Sequence, residues 1–375
     1  MDARDIQADH APQAAQAPAP VDYRKGRIGF SFRRLVRAIV VVPWVVMALG
    51  STSALAFAWL LPQRLDDLDP QYLRLATIAF YIRTYQHFMA LSFGVVFVGL
   101  MLCGLRRSAA LALMVGVAAA WPIFSHKLVL PDFVSGQTTV ESNSPGLRVM
   151  SANLWVNNRD VNALVAEIER VDPDVLVVQE LTSWQWQAIN EHFSKKLKYS
   201  DLPRITGVAN IWSKYPLKAD PVTLTTDYGA FRATQVDWNG KAVAVYGVHL
   251  VSPSRAWAIG RNRQQVHQLL THLHTETRPT IIVGDFNATS LSAQLIAVER
   301  SGLKDAFKTA STEWLGLSWR PREGQFAQLG FWIGARIDHL FYSPEFKVAS
   351  YRTGNDIGSD HLPIIVELQL PDTKK

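Results

Sequence analysis

From Ala38 to Leu61 the chain runs for 24 residues without a charged side chain. A surface helix needs a polar face, and a helix needs only about 20 apolar residues to cross a bilayer. The run is preceded by Arg24, Lys25, Arg27, Arg33, Arg34 and Arg37. A cleaved signal peptide is the competing reading, since Ala54-Leu55-Ala56 has the small residues of a cleavage site. The apolar core is too long for that, and hydrophobic sequence continues past the would-be cut, so the segment reads as an uncleaved anchor.

Two shorter apolar segments follow, at about 87–105 and 108–124, separated by Gly104-Leu105-Arg106-Arg107-Ser108, which leaves room only for a tight hairpin. Their length also suits helices buried in a soluble domain. The stretch Gly94 to Leu102, however, has no polar face to show to water. Three transmembrane helices are therefore expected, within a membrane domain at 24–125. Positive charge sets their orientation. The basic residues before the first span and Arg106-Arg107 belong on the cytoplasmic side, and the loop Pro62 to Gln86, with Asp66, Asp67 and Asp69, falls outside. An odd number of spans puts the rest of the chain on the far face. Residues 1–23, rich in Ala, Pro and Gln, read as a disordered tail. Residues 126–146, with Pro131, Gly136, Ser142, Asn143, Ser144 and Pro145, read as a linker.

Residues 147–375 have a different pattern: short β-type runs that end in polar residues, interspersed with amphipathic helices. Arg148 to Leu154, Asp174 to Glu180, Val208 to Ser213 and Thr280 to Gly284 read as strands. Phe231–Trp238 and Lys241–Leu250 read as a hairpin around Asn239-Gly240, a strong two-residue turn signal. Arg336–Tyr342, Phe346–Tyr351 and Leu362–Gln369 complete the strands. Val161–Val171 and Ala256–His274 carry apolar residues at helical spacing. The pattern is α/β, with mixed sheets packed on each other and helices outside.

The strand ends deliver Asn153, Glu180, His249, Asp285, Asn287, Asp338, Asp360 and His361. Each alone has a plain explanation as a turn, cap or core residue. Gathered at one edge, the carboxylates would repel unless a cation balanced them. Carboxylate and amide oxygens without cysteine point to Mg²⁺ or Mn²⁺ rather than zinc. The chain has one cysteine, Cys103, which reads as a small buried residue. It has no Gly-rich phosphate loop and no Gly-x-Ser-x-Gly elbow. Hard cations held this way serve phosphoryl chemistry. The net charge is +6, but residues after Ser144 hold 25 Lys and Arg against 23 Asp and Glu. That near-neutrality gives nucleic acid no support as a partner.

In order, Ser151-Ala152-Asn153, Val178-Gln179-Glu180, Gly247-Val248-His249, Gly284-Asp285-Phe286-Asn287 and Ser359-Asp360-His361 resemble the motif series of the endonuclease/exonuclease/phosphatase superfamily. That group includes deoxyribonuclease I, abasic-site endonucleases, neutral sphingomyelinases and inositol-polyphosphate phosphatases. The resemblance spans roughly Leu147 to Leu370. It implies a deoxyribonuclease I-like two-sheet α/β sandwich and a metal-dependent phosphoric ester hydrolase. It also implies roles: Glu180 as principal metal ligand with Asn153 beside it, and Asp360 completing the metal site. Asp285 would orient or deprotonate the attacking water and Asn287 would position phosphate or nucleophile. His249 and His361 would flank the phosphate, with Asp338 orienting His361. His339 reads as a structural neighbour. Lys214 stands where the family often has Arg, and no acid partner for His249 is evident.

The three spans followed by such a domain look like the VanJ-like membrane proteins of bacteria, which are linked to glycopeptide resistance. This resemblance implies a multi-pass protein of the bacterial plasma (inner) membrane, an extracytoplasmic catalytic domain, and a lipid-linked phosphate or pyrophosphate substrate. No protein partner is expected. Trp184, Trp186, Trp257, Trp314, Trp319 and Trp332 make the domain Trp-rich, either to meet a membrane interface or to fill the core. Arg320 and Arg322 read either as a grip on a second phosphate or as a solvated loop. An extracytoplasmic endonuclease or exonuclease acting on DNA or RNA is the alternative.

Overall fold

The computed structural model describes residues 32–62, 64–125, 146–200, 208–226, 229–253, 256–313, 315–324, 327–329 and 333–370. The expected tail, the linker, Trp314 and Trp332 lie outside these residues. The chain divides into two compact units, Met1–Val46 and Met47–Lys375. Within the first, the described backbone is the start of helix α1 (Phe32–Leu60).

The second unit opens with the rest of α1, then α2 (Pro70–Leu102) and α3 (Arg106–Ser125). Helix α2 departs from the sequence expectation, which placed a loop up to Gln86 and a span from about residue 87. It is one continuous helix of 33 residues. Asp69 caps it by accepting from the backbone N–H of Gln71 and Tyr72, and Pro70 fills the first helical position, where no N–H is needed. The charged and polar residues of its first half read as a loop, but their apolar neighbours Ala76, Ala79 and Phe80 are buried. Among the described residues, two helical segments are long and apolar enough to cross a membrane, Val42–Leu60 and Pro70–Leu102. Three were expected; the third expected span falls on α3, which is helical but not among the two. Gln86 is fully buried and ties the three helices, accepting from Trp59 Nε1 at 3.0 Å and donating to the Ala119 carbonyl at 3.1 Å. Cys103 is exposed at the end of α2 rather than buried.

Two six-stranded mixed sheets form the remainder. The first has the order β11 (Lys347–Thr353), β12 (Ile364–Gln369), β1 (Leu147–Asn153), β2 (Val175–Gln179), β4 (Asn210–Ser213), β3 (Tyr199–Ser200). The second runs β5 (Leu217–Thr226), β6 (Gly229–Trp238), β7 (Lys241–His249), β8 (Thr280–Asp285), β10 (Asp338–Tyr342), β9 (Lys304–Asp305). Each sheet has one central parallel pair, β1 with β2 and β7 with β8. Their inner faces bury Val149, Val177, Ile211, Val245, Val283 and Val366 against each other. Helices α4 (Val161–Val171) and α5 (Ser183–Phe193) cover the first sheet. Helices α6 (Ala256–Leu273) and α7 (Ala293–Arg300) cover the second, joined there by Phe80 of α2.

Helix α5 and strand β5 are absent from the sequence reading. Thr182 and Gln185 start α5 through a capping contact, the Thr182 N–H donating to Gln185 Oε1 at 2.9 Å. Lys214 lies at the edge away from the strand ends that carry the motifs. Its ammonium binds Asp172 at 2.9 Å and Asp174 at 3.2 Å, pinning the end of α4 to the start of β2.

Beneath β10 a buried ion pair joins the second sheet to helix α8 (Ala306–Ala310). Arg336 donates to Asp305 at 3.1 Å through both terminal nitrogens and to His339 Nδ1 at 2.8 Å. Burial would raise the Asp305 carboxyl, but the guanidinium outweighs it and holds the acid well below its usual range. His339 donates through Nε2 to the Ala288 carbonyl at 2.9 Å and is fully buried. It is part of this scaffold. Arg336→Met strands the Asp305 charge, and a loss of about 3–5 kcal/mol is expected by denaturant titration of the full chain. In Asp305→Asn/Arg336→Met, where no charge is stranded, most of that loss should disappear.

Candidate active site

All the motif residues emerge at one edge of the sandwich. In β-register, Asn153 lies opposite Gln179, His249 opposite Asp285, and Asp285 opposite Asp338. Glu180 follows β2 directly, with a positive φ of 53°, a conformation costly for a residue with a side chain. Its carboxylate accepts from Asn153 Nδ2 at 3.1 Å and the Val156 N–H at 3.2 Å.

Two glycines bring the sheets together here. A Cβ on Gly247 would stand 2.8 Å from Ala209 Cβ and 3.0 Å from Val177 Cγ1, across the sandwich. Gly284 has φ of 143°, and a Cβ there would lie 2.0 Å from the Val248 carbonyl oxygen of the adjacent strand and 3.0 Å from Gln179 Nε2 of the facing sheet. Larger residues would force the sheets apart. With glycine, His249 Nε2 reaches within 3.7 Å of Glu180 Oε1, so the acid near His249 is Glu180, from the opposite sheet.

Asp285 is almost fully buried and central. Its Oδ2 accepts from Asn153 at 3.0 Å and Asn287 at 3.1 Å, and its Oδ1 accepts from the Asn287 N–H at 2.7 Å. Asn287 also donates to the Leu250 carbonyl at 2.9 Å. Burial, reinforced by the nearby Asp338 charge, pushes the Asp285 carboxyl up to about 8. His361 Nδ1 donates to Asp338 Oδ2 at 2.7 Å. Burial alone would depress this imidazole, but Asp338 and Asp285 outweigh it and raise it to about 10. His361 is thus held as the imidazolium, with Nε2 standing 3.9 Å from Asp285 Oδ2. That gap is too long for a direct hydrogen bond, so Nε2–H is offered to a ligand oxygen.

Asp360 presents a different environment. One oxygen accepts from Trp319 Nε1 at 3.1 Å, while Oδ1 is buried and has no hydrogen-bond partner among the described residues. Burial and the Glu180 charge raise its pKa. An orphaned, buried carboxylate oxygen beside a second acid is what a hard cation relieves. Asp285, Asp338 and His361 also place one donor atom each within 4.8 Å of one another. Those atoms are engaged by the Asp338–His361 bond and by the two asparagines. The free capacity lies at Glu180 and Asp360, with Asn153 between Glu180 and Asp285.

Trp319 is the residue that sequence reading placed at an interface or in the core without a site role. It forms a short bridge to both Ala335 and His361, and its neighbour Ser318 accepts from the Asp338 N–H at 3.0 Å. Nothing in its spacing marked it, because the bridge joins residues far apart in the chain. Arg320 and Arg322 border the same edge, Arg320 donating its N–H to the Asp360 carbonyl at 2.9 Å. Both guanidiniums pair with Asp356, Arg320 at 2.5 Å.

The raised Asp285 pKa has a testable sign. A carboxyl whose folded pKa lies above its unfolded value favours the fold at low pH, and this contribution is lost as pH rises towards about 8. In EDTA, Asp285→Asn should therefore raise the melting temperature relative to the parent above pH 8 and flatten the difference between pH 4 and 8. A variant less stable than the parent at pH 8 would contradict this electrostatic account.

Similarity to known proteins agrees with the geometry. No curated protein matches the chain significantly. Among solved structures, an endonuclease/exonuclease/phosphatase from Beutenbergia cavernae DSM 12333 is 19% identical with a TM-score of 0.50, over 60% of this chain and 72% of that one. A humanized D. rerio TDP2 with 14 mutations matches at 17% identity and TM-score 0.49, over 60% of this chain and all of the other. A Bacteroides vulgatus endonuclease/exonuclease/phosphatase matches at 18% and 0.48, over 61% of this chain and all of the other. The first of these likenesses concerns the fold alone. The sequence profile of the endonuclease/exonuclease/phosphatase family matches residues 150–361, more than half the chain, and the protein belongs to that family.

Proposed function

We propose that this protein is a membrane-tethered, Mg²⁺-dependent phosphoesterase that hydrolyses a phosphate ester or pyrophosphate of a lipid-linked substrate. The observation that carries the chemistry is the edge where Asn153, Glu180, His249, Asp285, Asn287, Asp338, Asp360 and His361 converge, with Asp360 Oδ1 buried and unpartnered. Glu180, Asp360 and Asn153 would hold the cation. Such an ion neutralises phosphate oxygens and stabilises the charge that develops on them.

The chain's own residues account for the rest. Asp285, with its carboxyl pushed up to about 8, is suited to accept a proton from water near neutral pH. The two asparagine amides on Asp285 fix its orientation, and Asn287 stands beside it to position the attacking oxygen. His361, charged and steered by Asp338, aims Nε2–H at a phosphate or leaving-group oxygen. His249 flanks the opposite side, next to Glu180.

The membrane reading rests on the two long apolar helical segments and on charge. Helix α2, at 33 residues, is about 50 Å long, whereas the hydrocarbon core is about 30 Å thick. Its first half packs on the catalytic sandwich and its second half exposes Leu91, Val95, Val98 and Leu102. A domain docked at the start of α2 lies on the side where α1 ends. With Arg106 and Arg107 on the cytoplasmic side, α3 must cross back for the chain to return there. That favours three crossings, a multi-pass plasma-membrane protein and an extracytoplasmic domain.

Detergent-solubilised protein should release phosphate from a prenyl pyrophosphate or a phospholipid with Mg²⁺ but not with EDTA, leaving plasmid DNA intact. Asp285→Ala and His361→Ala should each lower turnover about 100- to 10,000-fold with the circular dichroism spectrum unchanged. Plasmid nicking without lipid turnover would move the protein to the nuclease alternative, and near-wild-type rates from either variant would sink the mechanism.

A further inference from the structure

Helix α2 meets the sandwich in a definite order. Early in α2, Tyr72 accepts from Arg263 at 2.8 Å, and Arg263 also donates to the Arg64 carbonyl. Next, Leu73 lies so close to Gly260 that a Cβ there would meet its Cδ1 at 3.0 Å. Further along, the Tyr81 hydroxyl donates to the Pro253 carbonyl at 2.8 Å, and Arg83 donates to the Leu291 carbonyl at 3.4 Å. The contact points move from residue 263 back to 260 and then 253, so α2 runs antiparallel to α6 and towards the edge where β7 and β8 end. Pro253 follows His249 by four residues, and Leu291 follows Asn287 by four. The last docked residues of α2 therefore lie against the two segments that leave the active site.

Immediately beyond, the helix changes character. Leu91, Val95 and Val98 are 59%, 66% and 54% exposed, on a surface apolar enough for lipid. Arg83 to Leu91 spans about 12 Å of helix. Aromatic residues gather near this boundary: Tyr81 stacks on Tyr85, Trp59 bonds Gln86, and Trp121 of α3 is 66% exposed, while Trp257 at the start of α6 is 48% exposed. Tyr and Trp concentrate at membrane–water boundaries because their rings are apolar and their polar tips stay wet.

We infer that α2 holds the sandwich with its catalytic edge facing the bilayer, at head-group height, so that the site takes phosphates presented from the membrane surface rather than from bulk solution. This deepens, and rests on, the membrane reading above. The far edge, with the Asn239-Gly240 turn and the C-terminal end of α6, then points away from the lipid.

Single-cysteine labelling tests the orientation, helped by Cys103 being the one native thiol. In a full-length Cys103→Ser background, Trp257→Cys and Val156→Cys report the catalytic edge, and Thr275→Cys and Asp237→Cys the far edge. Each variant is labelled with a fluorophore and reconstituted in phosphatidylglycerol/phosphatidylethanolamine vesicles containing head-group nitroxide lipid. Quenching several-fold stronger at 257 and 156 than at 275 and 237 is the expected result. Equal quenching at the two edges, or the reverse order, overturns the inference, as does failure of the protein to float with vesicles. The two readings separate cleanly. The expected quenching order without phosphate release from lipid leaves the orientation standing and removes the lipid substrate. Lipid turnover with the reverse order does the opposite.

Discussion

Gly247 and Gly284 set how closely the two sheets approach at the catalytic edge, and the rest of the site follows from that distance. At Gly247 the backbone of β7 comes into near contact with Ala209 and Val177 of the facing sheet. At Gly284 a Cβ would meet Gln179 Nε2 of the facing sheet at 3.0 Å as well as the Val248 carbonyl of the adjacent strand, so no side chain fits. Because of this, Asn153 from the first sheet reaches both Glu180 beside it and Asp285 across from it. Catalytic power in such sites comes from groups held in place before substrate arrives, and here the packing of two sheets does the holding.

The same closeness creates an electrostatic problem. Asp285, Asp338 and Asp360 share one edge with Glu180, and Asp285 and Asp338 are buried. The site answers in two ways. His361 supplies a positive charge between Asp338 and Asp285. Two asparagines donate to Asp285. At Asp360, one oxygen is left without a donor among the described residues. A second buried charge system, Arg336 with Asp305 and His339, lies below and supports β10 without touching the chemistry. The two differ in one respect that matters: the lower one pairs its charges within the protein, and the upper one leaves an Asp360 oxygen without a donor among the described residues.

Helix α2 links this edge to the apolar part of the chain. Its first half belongs to the core beneath α6, and its second half shows apolar surface outward. A continuous helix is stiff over this length, so the height and tilt of the sandwich relative to the apolar segment are set by packing rather than by a linker. The contacts of Tyr81 and Arg83 fall on backbone carbonyls just past His249 and Asn287. The apolar half of α2 and the edge that carries the motif residues are therefore one mechanical unit.

Much was legible without coordinates, for a local reason. Apolar runs ending in a polar residue identify β1, β2, β7 and β8, and Asn239-Gly240 identifies its hairpin, because each depends on neighbours within a few residues. Val161–Val171 was legible as a helix to the residue, since its spacing, its Asp160 cap and the following Pro173 all agree. The motif order implied the family before any geometry was known. Other features resisted reading because they are made by distant segments. The first half of α2 looked like a loop, since its buried face has meaning only against α6, nearly 190 residues later. Glu180 could not be named as the neighbour of His249, nor Trp319 as the support of Asp360, since neither pair shares a strand or a turn. Sequence alone determined which side chains would stand at strand ends, because local propensity needs no fold. Only the tertiary structure decided which of them meet and which carboxylate oxygen is left without a donor, because those depend on how the two sheets pack.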